Sequence, residues 1–317
     1  MLFELRFFPR FIFLLMIGLL LMTGVAQSGW RKGMSLPVAI AHTSAEKIGR
    51  EIFVLRNNWH AKADNFFEAY DVDGDGWRPL MPMPVDRSNF GVSAAMDRLF
   101  VTGGINPQSE LMSDGVWSFS PAMSQWYQLP PMPGVRAYHK SIIVDDYLYV
   151  LGGRGVNRDK IYRYDLGTSE WKVLDVEMPV QRVEFALAAA NGEIYLIGGR
   201  GRQNETFADV HVFNPKDGRW RRGPDLPAPV SGGSLVEVQG HLHLLGGYAL
   251  APEKTLATHY VLTPQAEDWR SMPAMPIPRH HAAALGVDEK IIVIGGALGV
   301  GFYAFFTASD DVSIYTP

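Results

Sequence analysis

Arg87, Arg136, Arg182 and Arg279 each stand 16 residues before a Gly-Gly pair, and two residues further on the same copies carry Asn89, Tyr138, Glu184 and His281. Arginine presents a planar fork that pairs bidentately with carboxylates, so four of them at one opening would hold an anionic ligand. In a strand, side chains two residues apart share a side. The expected ligand-binding set is therefore Arg87, Arg136, Arg182, Arg279, Tyr138 and Asn89. Glu184 with His281 or His42 supplies the residue types that general acid and base chemistry requires, and these three are the catalytic candidates. Ile40 and Val230 occupy the arginine position in the two remaining copies, which makes any such ring lopsided. The competing role for the arginines is structural, pinning loops or pairing with carboxylates of neighbouring repeats.

Composition narrows the chemistry. The chain of 317 residues has a formal charge of −4, so it lacks the basic field that a nucleic-acid backbone or an acidic membrane surface would attract. It contains no cysteine, which excludes disulfides, thiolate nucleophiles and cysteine-ligated metals. The histidines show no local metal-ligand spacing such as HExxH, and neither a metal nor a cofactor is expected. The stretch Asp71-Val72-Asp73-Gly74-Asp75-Gly76 imitates the start of a calcium loop. Pro82 stands where the closing glutamate belongs, so a turn between strands is expected instead.

The elements that must position these residues repeat. Gly-Gly falls at residues 103, 152, 198, 246 and 295, with Arg56-Asn57 at the first position. Trp30, Trp77, Trp126, Trp171, Trp220 and Trp269 keep the same step of 45 to 49 residues. Tyr70, Phe119, Tyr164, Phe213 and Leu262 each precede a tryptophan by 7, and a Met-Pro or Leu-Pro pair precedes each Gly-Gly position by 20. Between the columns lie short β-branched or aromatic runs such as Ile194-Tyr195-Leu196-Ile197, bounded by turns such as Asn191-Gly192. No sustained helical period follows residue 30, so each repeat is expected to form four antiparallel strands.

Strand, Gly-Gly, Tyr or Phe, seven residues, Trp: this set resembles the kelch repeat over essentially all of residues 30 to 317. The resemblance implies an all-β fold, a kelch-type β-propeller whose four-stranded blades surround a central channel. Residues 311 to 317 begin a last repeat that stops before its tryptophan strand, while Trp30-Arg31-Lys32 is a tryptophan strand without a repeat. An N-terminal strand is therefore expected to complete the last blade, closing a six-bladed ring across residues 29–317 and hiding its edges.

Kelch domains that recruit substrates use arginines of this column on acidic peptides, which implies an acidic protein segment or a glycan as partner. A weaker resemblance to secreted bacterial sialic-acid mutarotases implies an alternative: acid and base work by Glu184 and His281 or His42 on an acidic sugar. The copper chemistry of galactose oxidase, also built on a propeller, fails for want of its cysteine.

Residues 1–28 have the layout of a secretory signal peptide, with Arg6 and Arg10, an apolar run from Phe11 to Val25 and small residues to Ser28. The location expected is extracytoplasmic, periplasmic or secreted, with membrane attachment only if this segment is not cleaved. Recognition is expected from loops after the Gly-Gly position. These carry Trp59-His60, Arg154, Arg158, Arg200, Arg202 and the aromatic run Leu298 to Phe306, which is either a contact patch or a packed loop. Asn204-Glu205-Thr206 fits a glycosylation sequon.

Overall fold

Each repeat closes on itself because its short apolar runs are separated by turns too tight for anything but antiparallel pairing. The computed structural model describes residues 29–57 and 66–317; residues 1–28, read above as a signal peptide, and Trp59-His60 fall outside the described residues. Six four-stranded antiparallel sheets result. Blade three, for example, runs from the innermost strand Lys140–Val144 through Tyr147–Leu151 and Lys160–Asp165 to the outermost, Glu170–Glu177. The six innermost strands neighbour one another in sequence order, and Thr43–Ile48 meets Ala283–Val287, so the ring is closed.

Closure is made by the N-terminal strand. Gly29–Lys32 pairs antiparallel with Val312–Thr316, setting Trp30 opposite Tyr315 as the outermost strand of blade six. The sequence expectation of six blades sealed by an orphan tryptophan strand is met.

Aromatic columns fill the space between sheets. Within blades, Tyr70 and Trp77, Phe119 and Trp126, Tyr164 and Trp171, and Phe213 and Trp220 lie 4.9–5.1 Å apart between ring centres. The indole N–H then reaches the blade before: Trp126 Nε1 donates to Met81 O at 3.0 Å and Trp171 Nε1 to Pro130 O at 2.9 Å. Trp30, Trp77, Trp126, Trp171 and Trp269 each satisfy their one donor across a blade boundary, whereas the buried Trp220 Nε1 has no partner.

The Gly-Gly pairs do the same on the inner side. Gly246 has φ +62, and a Cβ there would collide with the Arg279 carbonyl oxygen of the next blade. Only glycine admits both that backbone and that approach. Asp71–Gly76, the calcium-loop mimic, is the turn joining the outer strands of blade one. Among the described residues no group of three or more His, Asp or Glu is arranged to hold a metal.

Candidate binding site

The arginine column turns into the blades. Arg136 and Arg279 are fully buried and Arg182 nearly so. Arg182 spans Asp209 with both arms, at 2.6 and 2.9 Å, and also donates to Gly198 O at 2.8 Å. Arg279 donates to Asp311 O at 3.0 Å and lies 2.8 Å from the Asp311 carboxylate. Arg136 caps the carbonyls of Val156, Asn157 and Lys160 and packs on the Tyr162 ring. Arg87, half-buried, donates to Asp86 O and Ser113 Oγ. These groups stiffen the loops that follow four of the five Gly-Gly pairs.

The two columns therefore do not share a side, contrary to the alternation expected from sequence. The physical reason is the backbone: Asn89, Tyr138, Glu184, Gly232 and His281 all have φ between +51 and +63, so extended alternation ends there. What the arginine position contributes between blades is its carbonyl. The second Gly of each pair donates its N–H to that oxygen in the next blade, Gly104 to Arg136 at 2.9 Å and Gly247 to Arg279 at 2.9 Å. Gly199 reaches Val230 O and Gly296 reaches Ile40 O at 2.8 Å in the same way. A main-chain contact is indifferent to the side chain, which is why Ile40 and Val230 are tolerated. In blade one, where glycines are missing, Asn57 bridges instead, donating its N–H to His42 O and pairing its side-chain amide with the backbone of Phe90.

The left-handed column does face the channel mouth. His42 stacks on His281 with ring centres 4.2 Å apart, and His280 Nδ1 lies 2.6 Å from His281 Nδ1. Because His280 Nε2 must donate to Gly299 O, its Nδ1 is the acceptor in the neutral ring, which makes His281 the donor. Burial, and then the neighbouring His280, lower His42 to about 4, and burial holds His281 well below its ordinary value. Both histidines are neutral near pH 7.

Glu184 is the hub beside them. It accepts from Arg200 at 2.8 Å, from Ser231 at 3.1 Å and from the Tyr248 hydroxyl of the next blade. Burial alone would raise its carboxyl, but Arg200 and these hydrogen bonds outweigh it and hold Glu184 below the usual carboxylate range. Ser231 and Tyr248 are not legible in the sequence; nothing in their spacing marks them, because they reach Glu184 from another blade.

Beyond Arg200 the surface opens into a cleft of about 560 Å³ between the loops of blades three and four. Arg154, Arg158, Arg200 and Arg202 line it together with Met112 and Val156. Arg154 lies 4.9 Å over the Tyr138 ring. Arg200 also holds Asn204 Oδ1 at 2.9 Å. Among the described residues no carboxylate is within ion-pair distance of Arg154, Arg158 or Arg202. On blade six the Leu298 to Phe306 loop contains a 3₁₀ turn, Gly301–Phe306, which exposes Tyr303 and Phe306 and buries Ala304.

A closed six-bladed β-propeller, with blades pinned by tryptophan and Gly-Gly contacts and with charged loops at one mouth, is the class of protein these features define. Residues 89–296 match the model of the KLHDC2/KLHL20/DRC7 Kelch-repeats domain, and the chain belongs to the kelch-repeat family. It is 28% identical over 172 residues to Kelch-like protein 35 of Mus musculus, covering 54% of this chain and 29% of that protein. It is 26% identical over 240 residues to Kelch-like protein terF of Aspergillus terreus, covering 69% of this chain and 52% of that one. The chain thus spans from under a third to about half of these relatives' lengths. Among solved structures, that titled "Structure of YjhT" aligns with a TM-score of 0.75 at 16% identity over 89% of this chain and 96% of that one, a likeness of fold.

Proposed function

We propose that this kelch propeller is a binding module whose loop face receives an acidic segment of a protein partner in the cleft between blades three and four. The observation that carries the reading is the set of arginines without carboxylate partners among the described residues, Arg154, Arg158 and Arg202, around a concave site with apolar walls. Unpaired guanidiniums on a rigid scaffold favour carboxylates bidentately, and Met112 and Val156 offer contact for an apolar side chain between acidic ones. Kelch propellers commonly serve as protein-interaction modules, which supports a protein segment over a free metabolite. The leader-like residues 1–28 support an extracytoplasmic setting for this binding.

A second reading, turnover of an acidic sugar, draws on the closeness of Glu184 to the same cleft through Arg200. A base at Glu184 would first have to give up hydrogen bonds from Arg200, Ser231 and Tyr248, so we place binding ahead of turnover.

The deciding experiment is titration of the purified chain with a panel of Glu- and Asp-rich peptides carrying one leucine, against the double variant Arg154→Glu/Arg202→Glu. Binding that weakens about tenfold in the variant and with added salt is expected. Equal affinity for both proteins would remove the cleft from consideration. Unchanged anomer exchange of sialic acid by NMR in the presence of the protein would remove the second reading.

A further inference from the structure

The channel itself carries a site that neither the repeats nor the cleft explains. Twelve residues before each Gly-Gly position the six blades place Ser44, Gly91, Lys140, Ala186, Ser234 and Ala283. All six line one cavity of about 130 Å³ on the channel axis. Of these six, Lys140 alone carries a long side chain, and it is exposed to that space. Lys140 also borders a smaller chamber of about 50 Å³ toward the loop face, shared with His42, Glu184 and His281. Lys140 thus stands where the two spaces meet.

Its ammonium makes no hydrogen bond or ion pair among the described residues. The side chain is open to channel water although protein surrounds it. Its backbone is fixed, since Lys140 begins the innermost strand of blade three and pairs with Leu151. Crowding by the walls lowers the ammonium from its ordinary range, with Glu46 and Glu184 opposing. Glu46 lines the same cavity as Lys140, and crowding there raises its carboxyl, with Lys140 opposing, to about 8. Glu184, by contrast, is kept ionised by Arg200 and its hydrogen bonds. Two carboxyl groups pushed in opposite directions around one amine are the arrangement that divides proton donor from fixed charge.

We propose that Lys140 is an amine nucleophile that captures a small aldehyde or ketone in the channel as a reversible imine, with Glu46 as proton donor. The lone pair of neutral Nζ forms a bond to the carbonyl carbon while the C=O π bond breaks and the oxygen takes the proton of Glu46; Nζ then passes one proton back to the Glu46 carboxylate, giving the carbinolamine. The re-protonated Glu46 donates to the carbinolamine oxygen as the nitrogen lone pair expels it as water, leaving a protonated imine, an ionised Glu46 and no change in oxidation state. The cavity admits a carbonyl compound of a few carbons. Among the described residues Lys140 is the one cation lining it, so an uncharged compound fits better than a keto acid.

Reductive trapping tests this. The full chain is incubated with acetaldehyde or acetone and cyanoborohydride near pH 7, and alkylated lysines are mapped by mass spectrometry. Hydride from the reagent converts any imine to a stable secondary amine. Lys140 is expected to be modified severalfold faster than the exposed Lys47, Lys172 and Lys216, because more of its amine is neutral near pH 7, and the excess is expected to shrink toward pH 10. Glu46→Gln is expected to slow trapping at Lys140 and leave the surface lysines unchanged. Modification of Lys140 no faster than the surface lysines would overturn the proposal. A normal Lys140 rate in Glu46→Gln would overturn the part given to Glu46.

Discussion

The Arg182 guanidinium meets the Asp209 carboxylate with both arms, Nη1 to Oδ1 at 2.6 Å and Nη2 to Oδ2 at 2.9 Å, inside blade four. Asp209 in turn lies 2.9 Å from His211 Nε2, so the pair anchors a short polar network at the start of the third strand. An arginine placed by sequence among ligand candidates is thereby a brace.

Arg182→Ala should destabilise the chain by about 3 kcal/mol, because it removes the bidentate partner of a mostly buried carboxylate and leaves it only His211 and the exposed Arg222. Arg154→Ala, at the open cleft, should change stability by no more than about 0.5 kcal/mol. Denaturant unfolding of the two variants reads this directly; equal losses would contradict the division between brace and recognition residue.

Glycine positions should divide by space as well as by φ. Gly218 has φ +69 with nothing within 4 Å of where a Cβ would stand, so Gly218→Ala should cost about 1–2 kcal/mol for the left-handed backbone alone. Gly246→Ala adds a collision with Arg279 O and should cost clearly more, reducing the folded yield. Thermal melts of both, compared with the parent, check the order.

Removing the closing strand should open the ring. Without Gly29–Lys32, the strand Val312–Thr316 becomes an edge and Tyr315 loses the Trp30 ring 5.1 Å away. A chain starting at residue 34 should melt lower and self-associate. Trp30→Ala should cost about 2 kcal/mol, less than the roughly 3–5 of a fully buried ring, because Trp30 is only half-buried.

Acid should weaken the fold through buried neutral histidines. His243 and His259 lie 3.0 Å apart, and since His259 Nδ1 donates to Pro273 O, its Nε2 accepts from His243. Burial lowers both to about 4, and His259 further lowers His243. Below about 6.5 the unfolded chain binds protons that the folded one refuses. Stability should therefore be full above about 6.5, fall toward about 4 and level off below, by on the order of 3 kcal/mol per histidine. His42 acts in the same direction. His259→Gln should flatten part of the slope in melting temperature against pH; an unchanged slope would assign it elsewhere.

The channel residues show how much of the site is legible in the sequence. Glu184, His42 and His281 stand out by their column and do lie together at the mouth. Tyr248 and Ser231 do not, because they touch Glu184 from the neighbouring blade with no shared spacing. Lys140 has a signal, one lysine in a column of small residues, but that contrast has meaning only once the column is known to line a channel. The cleft arginines are recognisable as loop residues; their convergence on one concavity is not.

The sequence by itself determined the blades, their number and the N-terminal seal, since every repeat carries its own strands, turns and aromatic packing and these recur at one period. Only the tertiary structure decided which charged residues are spent inside the fold. A left-handed residue two positions after each of the four arginines redirects the chain, so the conspicuous arginines turn inward to carbonyls and carboxylates, and the loop arginines are left around the open cleft. Local periodicity specifies packing; it does not specify which groups find partners across a blade boundary.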